Sequence, residues 1–464
     1  MNKKFLLVFF AAAFIAWIIG LSSCANIIPP TGGPKDTLAP VLISAAPSDS
    51  SLHFTTKKIT LNFDEFVQLS SNFGDEIVVS PYPLLPPLFE ARLKTITIKL
   101  RDTLKPNTTY SIDFGKAIQD VNEANAIKNF DYVFSTGNYI ANGTLSGKVI
   151  LAETGETDST LIVVLHRNLN DSAIKKLRPD YFAKLNGSGN FSFQHLPNDQ
   201  FDVYVLPNDY SKKYDDSTKI FAFLNEPVHV DSIPKSITLY AFQEFKQKEK
   251  PVATEPKKTK KNTEPEVLKI SFSTSGVQDI LTPLSIFVNR KVAEFDAAKI
   301  ALSDTNFKTI PVHWEADTSG RQFTMQYSWI PGRDYVLVVE KEAFKDSAGI
   351  MPIENDTLEF RTKPVEDYGN LLLRFSNLEL ARNPVLQFVQ GNEIIESIPL
   401  TQQEWSRKLF PPGDYTIRIL YDENKNGIWD PGNFDTKKQP EITIFIPRKI
   451  TVKADWDNEV DIRL

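Results

Sequence analysis

The stretch Leu104-Lys105-Pro106-Asn107-Thr108-Thr109-Tyr110-Ser111-Ile112-Asp113-Phe114 reads as a turn followed by a strand. Pro and Asn punctuate the chain. Tyr110, Ile112 and Phe114 then alternate with Ser111 and Asp113, and a period of two puts one face in a core and the other in water. The same alternation recurs outward from this point. It is seen in Ile59-Leu61-Phe63, Ile96-Ile98-Leu100, Phe323-Met325-Tyr327, Tyr335-Leu337-Val339, Tyr415-Ile417-Ile419-Tyr421 and Ile442-Ile444-Ile446. Many short strands separated by turn clusters predict an all-β fold built of sandwiches. Only segments near Ser172–Leu177 and Phe295–Ile300 carry a helical pattern.

The opening stretch has an echo. Trp329-Ile330-Pro331-Gly332-Arg333-Asp334-Tyr335-Val336-Leu337-Val338-Val339 repeats its turn and strand. Each copy is followed by an acidic turn (Gln119-Asp120 and Lys345-Asp346) and a closing strand (Tyr132–Thr136 and Leu358–Thr362). A second echo links Leu196–Val205 to Phe410–Ile419. A chain of 464 residues accommodates three or four domains. The echoes order them as a duplicated pair, the architecture of a scaffold. The expected divisions are 41–137, 138–243, 268–364 and 365–464. Between them, 244–267 includes Pro256-Lys257-Lys258-Thr259-Lys260-Lys261, is poor in apolar residues and reads as a solvated linker.

The N-terminus predicts export. Lys3 and Lys4 precede an uncharged apolar run from Phe5 to Gly20, and Leu21-Ser22-Ser23-Cys24 follows. That order is a secretory signal, and the run falls short of the roughly 20 apolar residues a membrane-spanning helix needs. The site resembles a lipobox, in which Cys24 receives a diacylglyceryl group and further acyl chains such as palmitate. Residues 1–23 are then a lipoprotein signal peptide and 24–40 a Pro- and Gly-rich tether. Cys24 is the only cysteine, so no internal disulfide can form.

Pro30-Thr31-Gly32-Gly33-Pro34-Lys35-Asp36, Phe63-Asp64-Glu65-Phe66-Val67, and Asn107–Gly115 with its continuations Asp120–Asn125 and Phe134–Gly137 carry a family resemblance. Over residues 24–137 the chain resembles the Ig-like-domain lipoproteins of Bacteroidota, whose first module is a bacterial Ig-like domain of the SbsA type. Residues 284–364 resemble a diverged second copy. The sandwich around Gly189–Leu196 is similar to transthyretin-like or carboxypeptidase-regulatory-like modules. The resemblance implies a tandem array of Ig-like and transthyretin-like β-sandwich domains in an envelope protein, and it brings no catalytic residues. Lipoproteins of this phylum that reach the cell surface carry acidic residues soon after the cysteine. Ala25–Pro30 has none, which favours the periplasmic face of the outer membrane. The tripeptide Asp-Ser/Thr followed by an aliphatic, Ala or Thr residue resembles an O-glycosylation signal of the same phylum. It falls at Thr37, Thr103, Ser159, Ser172, Ser217, Ser232, Ser347 and Thr357; Asp-Ser and Asp-Thr are also ordinary turn formers.

A net charge of −6 argues against nucleic-acid binding, which needs clustered cations. One segment has ligand spacing. In Asp422-Glu423-Asn424-Lys425-Asn426-Gly427-Ile428-Trp429-Asp430, oxygen-bearing side chains of Asp422, Asn424, Asn426 and Asp430 stand at positions 1, 3, 5 and 9 of a calcium loop, with Gly at 6. Position 12 is Asn433, so the bidentate carboxylate is missing, and an Asn-Gly turn accounts for the same residues. Calcium is thus the one candidate cofactor. The five histidines are scattered, and no nucleophile elbow, zinc motif or phosphate loop occurs. Asp64-Glu65 is read as a strand pair pointing to opposite faces, and Asp120, Asn122 and Glu123 as a polar turn.

The expected function is a lipid-anchored structural or protein-interaction lipoprotein without catalytic activity. Its partners would be the membrane, through the lipid, and envelope proteins or glycans. A carbohydrate-binding lipoprotein is the alternative, with Trp405 or Trp429 as contacts; an unrecognised hydrolase is the third reading.

Overall fold

The computed structural model describes residues 35–231, 233–244, 267–391 and 393–464. The expected signal peptide, Cys24, most of the expected tether, Ser232 and residues 245–266 of the expected linker lie outside them. The chain divides into two units, 1–141 and 142–464. The fold is all-β.

In the first unit the strands are β1 (Leu42–Ala46), β2 (Lys58–Phe63), β3 (Val67–Leu69), β4 (Val78–Ser80), β5 (Leu88–Arg92), β6 (Thr95–Lys99), β7 (Thr109–Asp113), β8 (Ile118–Asp120) and β9 (Asp131–Ser135). Sheet β1-β2-β6-β5 faces sheet β4-β7-β9, and β3 pairs β8. Ile59, Leu61, Phe63, Ile96, Ile98, Ile112, Phe114 and Phe134 form the core between them. A single helical turn, α1 (Phe73–Glu76), was not foreshadowed by any periodicity. Asp64 and Glu65 lie in a bend after β2 rather than in a strand, and Asp64 accepts a hydrogen bond from the Val41 amide at 2.8 Å.

The second unit contains three cores. The first is built from β10 (Gly143–Leu151), β11 (Leu161–His166), α2 (Ser172–Lys176), β12 (Tyr181–Lys184), β13 (Asn190–Leu196), β14 (Asp199–Pro207), β15 (Ile220–Phe223), β16 (Val228–Val230) and β17 (Lys235–Gln243). Its strand order is β12-β11-β14-β15-β17-β10-β13, with β16 also on β14. Leu161, Val163 and Leu165 of β11 enter the core, yet Ile162, Val164 and His166 on the other face are buried too.

The second core is enclosed by β18 (Ile270–Phe272), β19 (Val277–Gln278), β20 (Leu284–Val288), β21 (Val292–Phe295), β22 (Ile300–Asp304), β23 (Thr309–Ile310), β24 (His313–Ala316), β25 (Gln322–Gln326), β26 (Asp334–Val339), β27 (Phe344–Asp346) and β28 (Asp356–Thr362). The sheets are β18-β20-β25-β24 and β19-β28-β26-β22-β23, with β21 on β27. This is the connectivity of the first unit, strand for strand, with β19 and β23 added at the edges. Where a helix was expected at 295–300, a lone 3₁₀ turn at Ala297–Lys299 joins two strands, and the Asp296 side chain accepts from the Ala298 amide at 3.0 Å.

The third core lies between β29 (Gly369–Ser376), β30 (Pro384–Gln390), β31 (Glu393–Pro399), β32 (Glu404–Phe410), β33 (Gly413–Tyr421), β34 (Ile442–Val452) and β35 (Asp457–Arg463). Sheets β32-β29-β35 and β31-β30-β33-β34 match β13-β10-β17 and β12-β11-β14-β15. Both β10 and β29 pair in parallel with the last strand of their set. Both carry a register shift at the same point, where Gly143 opposes Leu196 and Gly369 opposes Phe410. The preceding residues, His195 and Leu409, both adopt positive φ.

Candidate functional site: the loop between Tyr421 and Ile442

β33 and β34 are neighbours in register, with Tyr421 opposite Ile442. Between those ends the chain makes a long excursion, and its base is polar and buried. Asp422 is 2% exposed and Glu441 4% exposed. Asp422 accepts hydrogen bonds from the amides of Asn426 (3.2 Å) and Gly427 (2.7 Å). Lys425 and Gly427 both have positive φ, which curls the loop tightly enough to aim those amides back at Asp422. Glu441 accepts from the amides of Glu423 (2.9 Å) and Asp430 (3.0 Å). Asp430 accepts from the side-chain amides of Asn424 and Asn426, the second at 3.0 Å.

Hydrogen bonds thus tie all four residues with calcium-loop spacing into one loop, and Glu441 joins them through the amides of Glu423 and Asp430. Asn433, at the position where a bidentate carboxylate is lacking, turns away: its side chain accepts from Thr436, and its backbone bridges to Lys438. Glu441 stands beyond the twelve residues, 422–433, that a calcium loop spans. Its only sequence signal was a Glu at the very start of an apolar alternating strand. Burial raises the Glu441 carboxyl above its usual range; the two amide donors oppose that rise, and the charges of Asp422 and Asp430 add to it. Among the described residues no three His, Cys, Asp or Glu side chains are gathered closely enough to hold a metal ion. The amide groups of Asn424 and Asn426 point their nitrogens at Asp430. To present oxygens to a cation they must rotate by a half turn, a change that leaves the side chain's shape unaltered.

The other sequence-predicted residues are dispersed. Thr37, Thr103, Ser159, Ser347 and Thr357 are exposed, and Ser172 and Ser217 are half-buried. Trp429 is half-buried and donates to the Glu441 carbonyl at 2.7 Å, and Trp405 is half-buried on the third core beside Arg407. The exposed aromatics include Phe66, Tyr139, Tyr210, Phe287, Phe307 and Trp456; of these only Phe287 lies within a strand, so they do not line a sheet face as a row. The Asp120 turn is a turn: its buried carboxylate accepts from the amides of Glu123, Ala124 and Asn125. Among the described residues no helix is long and apolar enough to cross a membrane.

With the fold in view, comparison with known proteins adds a class for one part of the chain. Residues 36–136 match the bacterial Ig-like domain. No curated protein matches. Solved structures with similar β-domains include the Bacillus anthracis TIE protein, at 12% identity over 94% of this chain and 76% of that one, with a TM-score of 0.16. BcpA, the major pilin subunit of Bacillus cereus, is 11% identical over 70% and 98%, TM-score 0.16. Domains 1–6 of the surface layer protein SbsC are 8% identical over 84% and 66%, TM-score 0.17. At those scores the likenesses carry no functional argument.

Proposed function

We propose that the chain is a lipid-anchored protein of the cell envelope with a structural or protein-interaction role and no catalytic activity of its own. The observation that carries this reading is the order of parts: Leu21-Ser22-Ser23-Cys24 stands directly ahead of the residues that match a bacterial Ig-like domain. Lipid on Cys24 holds the chain at the outer membrane, on its periplasmic face, and 41–137, 138–243, 268–364 and 365–464 form successive sandwich modules. Their cores are filled by their own side chains. Affinity for envelope proteins or glycans then resides in sheet edges and loops. Crosslinking in cells followed by purification from outer membranes tests the role. A reproducible partner absent from the Cys24→Ala background supports it; identical sets of proteins from both overturn it.

We further propose calcium as the ligand of the 422–430 loop, with Glu441 as the carboxylate that closes it. Support comes from the alternate oxygens, from Gly427 at the turn, and from two buried acids that anchor both ends of the arc. Titration calorimetry with calcium chloride on the whole protein is the test, and absence of heat removes the proposal. Glycosylation at the Asp-Ser/Thr sites is supported by the exposure of five of them. A sugar-specific stain that leaves the native protein unlabelled would exclude it.

A further inference from the structure

The outward face of the sheet around β14, β15 and β17 is aromatic. Val203, Val205, Ala222 and Ala241 point into the core. By the period of two, Tyr204, Phe221, Phe223 and Phe242 point the other way, and all four are buried. Their cover comes from far along the chain. Phe434, in the excursion between β33 and β34, is 2% exposed and stands edge-on to Phe221 (5.1 Å), Phe223 (5.2 Å), Tyr204 (5.9 Å) and Tyr214 (6.2 Å).

Polar contacts fix the same segment at each side. The Phe434 amide donates to Glu244 at 2.7 Å. The Gln439 side chain donates to the Phe223 carbonyl and the Asn225 side chain, both at 3.1 Å. Asp435 pairs with Lys175 at 2.7 Å, and Lys437 pairs with Asp171 while lying 4.3 Å above the Phe434 ring. Gly432 is required by the fit, because a Cβ there would stand 2.7 Å from the Phe242 ring. At the root of the excursion, the Thr443 amide donates to the Ala152 carbonyl at 2.8 Å. A Cβ at Gly155 would strike the Phe445 amide nitrogen at 2.4 Å, so backbone meets backbone there.

We propose that residues 431–440 are a latch, an intramolecular ligand for the aromatic face of 142–244. It holds that region and 369–464 together without help from the covalent path between them. The 268–364 sandwich is then an insert in a closed unit, not a link in an open string. The chemistry is that of a protein–protein hot spot: one aromatic plug in a dry pocket, with cations and carboxylates at the rim. A peptide joined to the fold at both ends also loses less freedom on docking than a free one.

The test is scission. A site-specific protease sequence is placed within 250–262 of the full chain, and the cut protein is passed over a sizing column across a dilution series. The two fragments should co-elute at micromolar concentration. Phe434→Ala should weaken their association on the order of a hundredfold, while Phe434→Leu, which keeps an apolar plug, should retain most of it. Lys437→Asp should weaken it less, and adding Asp171→Lys should restore part of the loss, which no general unfolding would do. Cooperative melting of each fragment shows that the parts remain folded. If the wild-type fragments separate as readily as those of Phe434→Ala, or if Phe434→Ala leaves the pair intact, the latch is wrong.

Discussion

Asp422 and Glu441 hold the two ends of one loop. Asp422 leaves β33 and takes the amides of Asn426 and Gly427; Glu441 enters β34 and takes those of Glu423 and Asp430. Two buried carboxylates at the adjoining ends of neighbouring strands repel each other unless a cation or a proton intervenes. The upward shift at Glu441, caused first by burial, is consistent with that repulsion.

The consequence is a calcium response with a defined pH sense. Calcium should raise the Tm of the wild-type protein, and Glu441→Gln or Asp422→Asn should abolish the rise. Binding requires Glu441 ionised. Its folded-state pKa is raised, so the calcium-induced rise should fade as the pH falls through a value above the ordinary carboxylate range. Scanning calorimetry with calcium and with a chelator, repeated from neutral to acid pH, checks the prediction. A rise that persists unchanged at the acid end would count against Glu441 as a ligand.

Glycine at β10 is dictated by contact. A Cβ at Gly147 would lie 2.0 Å from the Ile237 carbonyl oxygen and 2.8 Å from the Phe191 ring. β10 pairs in parallel with β17 at that point and cannot retreat. Gly147→Ala should therefore destabilise the 142–464 unit by roughly 3 kcal/mol, near the upper end of overpacking penalties. Denaturant titration measures it; a change under about 0.5 kcal/mol, the range of inert surface substitutions, would mean that the two strands separate freely.

His166 gives the same unit an acid sensitivity. It is buried at the end of β11, edge-on to Tyr204 at 6.0 Å, with its Nε2 unpaired. Burial lowers its pKa, against a smaller opposing pull from Asp180. The unfolded chain takes up a proton near pH 6.5, and the folded chain does so only at lower pH. Stability should thus fall as the pH drops below about 6.5 and level off below the folded value. His166→Phe should flatten that part of the profile; an unchanged profile would place the titrating group elsewhere.

Asp120 works in the opposite direction. Burial alone would raise its carboxyl, but the amides of Glu123, Asn125 and Ala124 outweigh that and hold it below the usual range. Its contribution is complete above the unfolded carboxylate pKa of about 3.9 and is lost as the pH falls through the folded value. Asp120→Ala should lower the Tm of the first unit by on the order of 10 °C at neutral pH, because three amides lose their acceptor. A shift of a degree or two would show that water replaces the carboxylate at no cost.

The alternating strands were legible because one face of each meets a core and the other meets water, as in Tyr335–Val339. β11 was not, because Leu161–His166 is buried on both faces and shows no alternation. The echo between Leu196-Pro197 and Phe410-Pro411 reflects a shared bulge, with positive φ at His195 and Leu409. Four members of the 422–441 loop announced themselves by spacing. Glu441 did not, because it joins them through strand pairing rather than along the chain. Phe434 had no signal at all: it is a lone aromatic in a polar stretch, and its partners at Tyr204–Phe242 lie in another sandwich.

Labelling cells with a palmitate analogue and fractionating wild type beside Cys24→Ala tests whether Cys24 carries lipid. The wild-type protein should carry label and sediment with the outer membrane. The variant should lose the label and appear in the soluble fraction with its domains folded. A Cys24→Ala protein that is still labelled and still sediments with the membrane would contradict the account.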